Sequence, residues 1–329
     1  MSLGYIGSKK SLLSFLDQHI SPYLTEQTIF GDLFAGTGIV GKHFQGRCFQ
    51  IVSNDVELYA YVINRALLMV GYSERLQNII TEYNLLEPQK GLFSRYYSEE
   101  RMFFTSQNAN RIDGIRQTLQ LQKETERITE DEYFFLLASL LVSADRVANT
   151  TSVYGAYLKH FKASAQKDFV FIPIHTSMDF PKGKVYHRDI LSLAPEVKCD
   201  VVYLDPPYTS RQYGANYSPL NFLVRYDEET EVRGKGGLLD YFKSPFCQKA
   251  KVLEAFQTLL DSLVVPIIFI SYSSESILPI DELVNLCQTH GVVTIHTQEY
   301  KKYKSGVSGD TAVVLEYLIE IHSLSEKNI

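Results

Sequence analysis

The sequence predicts an open, doubly wound α/β sheet that carries a helical insertion and ends in an antiparallel hairpin. Three observations predict it. Residues 1–72 alternate short apolar runs with helical periodicity, in the order β-α-β-α. Residues 73–167 show helical patterns and no convincing strand. From about Val170 the strand–helix rhythm resumes, closing with two long β-rich runs. A catalytic sheet is therefore assigned to 1–72 and 168–329, and a helical insertion to 73–167.

The elements follow in order. Ser11 to Ile20 reads as a helix, and Thr28 to Phe34 as a strand leading into the glycine-rich turn Gly36 to Gly41 and a short helix. Gln50 to Ser53 is a second strand. Val56 to Met69 has helical periodicity, with Gly71 as its stop. Helices are expected at Glu74 to Tyr83, Asn108 to Gln120 and Asp131 to Ala148. Thr129 and Glu132 form a capping box ahead of the last. Strands follow at Val185 to His187, Val201 to Leu204 and Pro266 to Tyr272, with helices within Ser244 to Leu263 and at Ile280 to His290. Val292 to Tyr300 against Val313 to Ile321 reads as the hairpin.

Composition removes several classes. The longest apolar run, Leu263 to Ile270, is far too short to span a membrane, which needs roughly 18 residues. The opening residues lack the apolar core of a signal peptide, so a soluble, cytoplasmic protein is expected. Cys48, Cys199, Cys247 and Cys287 stand apart without a CxxC pair, and no HExxH occurs, so neither a disulfide framework nor a metal site is expected. The net charge of −6 offers no support for a polyanionic partner, which would have to meet local basic stripes.

Two motifs carry chemistry. In Asp32-Leu33-Phe34-Ala35-Gly36-Thr37-Gly38, glycines after a strand let a ligand approach the backbone at the carboxyl edge of the sheet. Gly36, Gly38 and Gly41 also fit the GxGxxG of dinucleotide enzymes, and a packing role for them is nearly as good a reading. Asp32 would repel a pyrophosphate but could accept a hydrogen bond from an ammonium group. Asp55, ending the second strand, could accept two ribose hydroxyls. Together they suit S-adenosyl-L-methionine better than NAD. For either acid alone, helix capping is the plain alternative.

Asp205-Pro206-Pro207-Tyr208 is the stronger signal, sitting at the end of an apolar strand. Proline leaves carbonyls without neighbouring donors. Asp205 and the Pro206 carbonyl could therefore accept both hydrogens of one exocyclic amine. Tyr208 offers a face for a base to stack on, a contact of about 1–3 kcal/mol.

Tyr5-Ile6-Gly7-Ser8-Lys9, then Asp32 to Gly38, then Asp205 to Tyr208, resemble in that order the Dam-like (alpha-group) DNA adenine methyltransferases. Ser271-Tyr272-Ser273 and Tyr300 to Ser305 extend the resemblance, and Asp145 to Lys159 with Arg211 to Tyr217 look like the FokI-type modification subgroup. The resemblance implies a Rossmann-like methyltransferase sheet, with 73–167 as target-recognition region. It implies methyl transfer from S-adenosyl-L-methionine to the amino group of a flipped adenine in duplex DNA, in a prokaryotic or phage setting, with a cognate restriction endonuclease as a possible partner. Asp205, Pro206, Pro207 and Tyr208 would be catalytic. Tyr5, Gly7, Lys9, Asp32, Phe34, Ala35, Gly36, Gly38, Asp55 and Asp189 would hold the cofactor, although an ion pair with Arg188 is an alternative for Asp189.

Arg95, Arg101, Arg111 and Arg116 of the helical region, Arg211, and Lys301, Lys302 and Lys304 are candidate DNA contacts. For any one of them a solvated surface charge is the plainer reading. Arg233 to Gly237 reads as a mobile basic loop. Rival readings are an RNA or cytosine-N4 methyltransferase, an NAD-dependent oxidoreductase, and a non-catalytic DNA-binding regulator. Cytosine-C5 chemistry would want a cysteine directly after proline, and none is present.

Overall fold

Five apolar segments, Ile29–Asp32 (β1), Gln50–Asn54 (β2), Lys184–Tyr186 (β3), Val201–Leu204 (β4) and Ile267–Ser273 (β5), pair in parallel. Gly291–Tyr303 (β6) and Thr311–Ser323 (β7) add an antiparallel hairpin. The computed structural model describes residues 7–151, 153–176, 183–303 and 311–323. The sheet order is β3-β2-β1-β4-β5-β7-β6, with β7 antiparallel to both neighbours. Connections wind one way from β1 to β3 and the other way from β4 outward. A crevice therefore opens at the carboxyl ends of β1 and β4, where such sheets bind ligands.

The parallel strands are covered on both faces, which explains their continuous rather than alternating apolarity. Phe30, Tyr203 and Phe269 face one core, shared with Leu13–Ile20 (α1), Ile39–Phe44 (α2) and Leu58–Met69 (α3). Val202, Leu204, Ile268 and Ile270 face a second core.

The helical stretch comprises Glu74–Asn84 (α4), the single turn Leu92–Ser94 (α5), Ser106–Glu124 (α6) and Glu130–Arg146 (α7). The Thr129 hydroxyl accepts from Glu132 N–H and the Glu132 carboxylate accepts from Thr129 N–H, at 3.2 and 2.8 Å, so the capping box forms as read. Leu136, Leu137, Leu140 and Leu141 of α7 are buried in the cluster that holds α3 and Phe30. Each contributes roughly 1.5–3 kcal/mol. The helices thus rest on the sheet's own helical layer and share its core.

Among the described residues, 147–151 and 153–176 form no strand or α-helix, and three asparagines hold them as a strand partner would. Asn108 donates to Lys167 O and accepts from Phe169 N; Asn84 donates to and accepts from Phe171; Asn149 donates to Leu158 O and accepts from Lys162 N. Two of these amides lie on helices and Asn149 lies within the segment itself; side chains satisfying a loop's backbone in this way leave no periodic trace in the sequence.

The second core is covered by Ile190–Leu193 (α8), Val252–Ser262 (α11) and Ile280–Gln288 (α12), while Tyr213–Asn216 (α9) and Ser218–Arg225 (α10) follow the Asp205 motif. Most boundaries shift by a few residues, and two of the shifts bear on the site. The first helix opens as a 3-10 turn over Lys9–Leu12. β1 stops at Asp32, because Ala35 N–H turns to Asn54 O across β2 and starts the glycine turn. Among the described residues no helix is long and apolar enough to cross a membrane, and no group of three or more His, Cys, Asp or Glu side chains is arranged to hold a metal ion.

Candidate active site

The crevice predicted by the strand order is a cleft of about 880 Å³. Gly7, Lys9, Asp32, Phe34, Ala35, Gly36, Asp55, Asp189, Asp205 and Pro207 all line it, which brings most of the expected site together. The glycine turn is clamped from two sides. Gly36, at φ 51°, donates its N–H to the Asp55 carboxylate at 2.7 Å, and its carbonyl accepts from the Asn64 amide of α3 at 3.0 Å. Gly38, at φ 71°, does not line the cleft. It forms the N-cap of α2, where a side chain would strike Asn64 Oδ1 at 2.5 Å. Glycine is required there for packing and conformation.

Five carboxylates meet this cleft, and four of them were expected from the sequence. Asp32 is 1% exposed and accepts the N–H of Gly41 at 2.9 Å; burial pushes it up to about 7. Asp55 accepts from Gly36 and from Glu57 N–H, and burial pushes it up to about 6. Asp189 accepts from Leu191 N–H and caps α8; Arg188 pairs with Glu196 at 2.9 Å instead of with Asp189. Asp205 pairs with Lys9, Nζ to Oδ1 3.0 Å. Burial drives the Asp205 carboxyl up and Lys9 draws it back. Burial of Lys9 works against its charge, but Asp205, Tyr208 and Glu316 outweigh it and hold the ammonium above its usual range. The 3.0 Å contact is that of a salt bridge.

Lys9 also stands over the Tyr208 ring, 5.4 Å from its centre, and Tyr208 meets Tyr272 edge-on at 6.5 Å. The hydroxyls of Tyr208 and Tyr213 crowd Gly7: a Cβ there would lie 3.7 and 3.3 Å from them. Pro206 is buried behind the motif. The opposite wall escaped the sequence reading: Glu57, Gln212, Tyr213, Phe242 and Phe246. Phe246 packs edge-on against Phe34 at 5.3 Å, and the Gln212 amide exchanges bonds with Ser244 N–H and O. Phe242 and Phe246 reach the cleft from the long connection between α10 and α11, and Gln212 and Tyr213 from the start of α9. Only Glu57, two residues past Asp55, offered a local clue.

The expected DNA contacts divide. Arg116 is 2% exposed and donates to Leu223 O and Val224 O, both at 2.9 Å, capping the C-terminus of α10. Arg101 donates to Gly234 O and Tyr96 O at 2.9 Å, and Arg111 to Asn84 O and Leu86 O at the end of α4. All three are engaged inside the fold, so their reading as DNA contacts is corrected. For Arg111 and Arg116 the physical reason is that helix C-termini leave carbonyls needing donors, while Arg101 satisfies the loop carbonyl of Gly234. The loop 233–237 is likewise pinned rather than mobile: Arg233 bridges Leu238 and pairs with Asp240, while Tyr97 donates to Gly237 O at 2.9 Å. Arg95 stays mostly exposed, 3.6 Å from Glu100, and Arg211 is exposed. Lys301 and Lys302 fall on β6 opposite Val313 and Ala312, and Tyr5 and Lys304 lie outside the described residues.

A seven-stranded sheet with an antiparallel β7, whose crevice joins a glycine turn to an Asp-Pro-Pro-Tyr corner, defines a Rossmann-like methyltransferase. The model of the D12 class N6 adenine-specific DNA methyltransferases matches residues 5–286, and this chain belongs to that family. It is 40% identical over 327 residues to the type II methyltransferase M.CviAII of Paramecium bursaria Chlorella virus 1, covering 97% of this chain and 98% of that protein. It is 38% identical over 316 residues to M.NlaIII of Neisseria lactamica, covering 92% and 93%. With M.FokI of Planomicrobium okeanokoites it shares 35% identity over 96% of this chain and 52% of that one. Its reaction is the methylation of adenine in DNA, with S-adenosyl-L-methionine as methyl donor.

Proposed function

We propose that the cleft holds the donor along its glycine turn and receives an everted adenine at Asp205–Tyr208, and that the protein modifies one short duplex sequence. The observation that carries this reading is that Asp205 and the Gly36–Asp55 clamp open onto one cleft. The residues fit such a donor: Gly36, at positive φ, leaves the turn bare where it lines the cleft, and carboxylates beside it stand ready for ammonium and hydroxyl groups. When bound, the donor supplies an electrophilic methyl group on a sulfonium.

The protein's own groups do the rest. Asp32 and Asp55 would bind the donor's polar ends, with Phe34 against its apolar parts and Asp189 at its adenine amine. Asp205 must first be released by Lys9, so the ammonium acts as a placeholder until the target amine arrives. The Asp205 carboxylate and the Pro206 carbonyl would then accept the amine's hydrogens, turning its lone pair toward the methyl and stabilising the positive charge that grows on nitrogen. Tyr208 would stack the base, offsetting part of the few kcal/mol lost on flipping.

The helical region 73–167 would read the target. Phosphate contacts would come from the cleft's rim, where Arg211, Lys243, Lys249 and Lys251 are exposed and pair with no acid among the described residues. Type II relatives support a role beside a cognate restriction endonuclease, in a prokaryotic cytoplasm or a virus-infected cell. Methylation of duplex DNA with nucleoside analysis tests the reading: N6-methyladenine is expected. Asp205→Ala should cost at least a hundredfold in kcat while duplex binding persists. Retained turnover would remove Asp205 from the chemistry.

A further inference from the structure

Glu57 is a carboxylate that the mechanism above leaves unused. Asp55 accepts its N–H at 2.8 Å, a tight turn that brings its side chain back into the cleft. It is 6% exposed. Oε2 accepts from the Asn221 amide at 2.7 Å. Among the described residues no donor reaches Oε1, which lies on the side of α9, 3.1 Å from where a Cβ on Gly214 would stand. Glu57 lines the cleft and keeps a small exposed surface there, so a ligand's hydrogen can supply the donor that the protein does not. Asp55, beside it, already holds two backbone N–H groups.

Asn221 does two things at once. Its oxygen accepts Tyr59 N–H at 3.0 Å, one of the unsatisfied donors of the first turn of α3, while its nitrogen holds Glu57. It sits on α10, which follows directly from the Asp205 motif through α9. Ser218 donates back to Gly214 O at 2.7 Å, and a Cβ at Gly214 would strike Tyr241 at 2.4 Å, so α9 and α10 are locked together against Glu57.

We propose that Glu57 is a second carboxylate contact for the methyl donor, and that Asn221 is the positioning residue that holds it there and ties the donor's pocket to the segment behind the catalytic motif. This rests on reading the cleft as the donor site. The donor carries hydroxyl and ammonium groups, and each is a donor of the kind Oε1 lacks.

Calorimetric titration with S-adenosylhomocysteine, together with thermal melting, separates this role from a structural one. Glu57→Gln keeps the clamp, because an amide oxygen accepts from Asn221 as a carboxylate does. It should melt as the wild type does yet bind S-adenosylhomocysteine about ten- to hundredfold more weakly. Asn221→Asp keeps the acceptor for Tyr59 but sets carboxylate against carboxylate. Melting temperature and affinity should both fall, and KM for the donor should rise more than kcat drops. The double variant Asn221→Asp/Glu57→Gln reverses the donor and acceptor. Its melting temperature should return while its affinity stays low. Affinity that returns with stability, or undiminished binding by Glu57→Gln, would overturn the proposal. A wild-type protein that does not bind S-adenosylhomocysteine would instead overturn the donor-site reading on which it rests.

Discussion

Arg116 separates what its residue type suggests from what its surroundings do with it. Its guanidinium makes two bonds of 2.9 Å to the last carbonyls of α10, one of 3.1 Å to Gln120, and lies 5.0 Å from the centre of the Tyr226 ring. Arg116→Ala would remove two charge-assisted bonds of about 1.5–3 kcal/mol each and strand two carbonyls. The lost stacking on Tyr226 adds about 1 kcal/mol. Allowing for non-additivity, a loss of about 3–5 kcal/mol is expected. For a chain of 329 residues the unfolding entropy is about 0.7 kcal/mol/K, so the melting temperature should fall by roughly 4–7 °C. Differential scanning calorimetry measures this directly. A DNA-contact role predicts the reverse pattern: unchanged melting, and a slope of log affinity against log salt reduced by about 0.9 for the lost phosphate contact. That outcome would refute the structural assignment.

Three further outcomes follow from the site. Replacing Lys243, Lys249 and Lys251 with Ala should leave melting unchanged and lower the salt slope of duplex binding by up to about 0.9 per lysine; an unaltered slope would remove the rim from the interface. Lys9→Met should move the acid limb of the kcat/KM–pH profile upward, because Asp205 acts as a carboxylate and loses the cation that draws its pKa down; a limb that stays in place would mean Asp205 does not titrate in that limb. Asp32, Asp55 and Glu57 have folded values of about 7, 6 and 7, above their unfolded ones, so they favour folding at low pH and that contribution is lost as pH rises through 6 to 7. A cationic or hydroxyl-bearing ligand should ionise them, so S-adenosylhomocysteine binding near pH 6.5 should release protons, read as heats that differ between phosphate and Tris buffers. Equal heats would mean that the acids are already ionised.

The donor turn and the Asp205 corner were legible because each is a local chemical unit at a strand end. Strand ends are set by apolar runs that single segments display, and the order β1, β2, β4 requires them to share one edge. The same logic located the capping box of α7 and the hairpin. Charge was the least legible feature. Arg101, Arg111 and Arg116 look like a basic face in sequence, and only packing shows that backbone carbonyls claim them.

The amino-acid order alone decided the class of sheet, the place of its crevice and the Asp-Pro-Pro-Tyr corner at its edge, because each follows from short-range pattern and residue chemistry. Tertiary structure alone decided that Lys9 pairs with Asp205, that Glu57 faces the cleft beside Asn221, that Arg111 and Arg116 cap helices and that Arg101 ties down a loop. Those outcomes depend on which groups, between 107 and 196 residues apart in the pairs Lys9–Asp205, Glu57–Asn221, Arg101–Gly234 and Arg116–Leu223, are left without water when the two cores close.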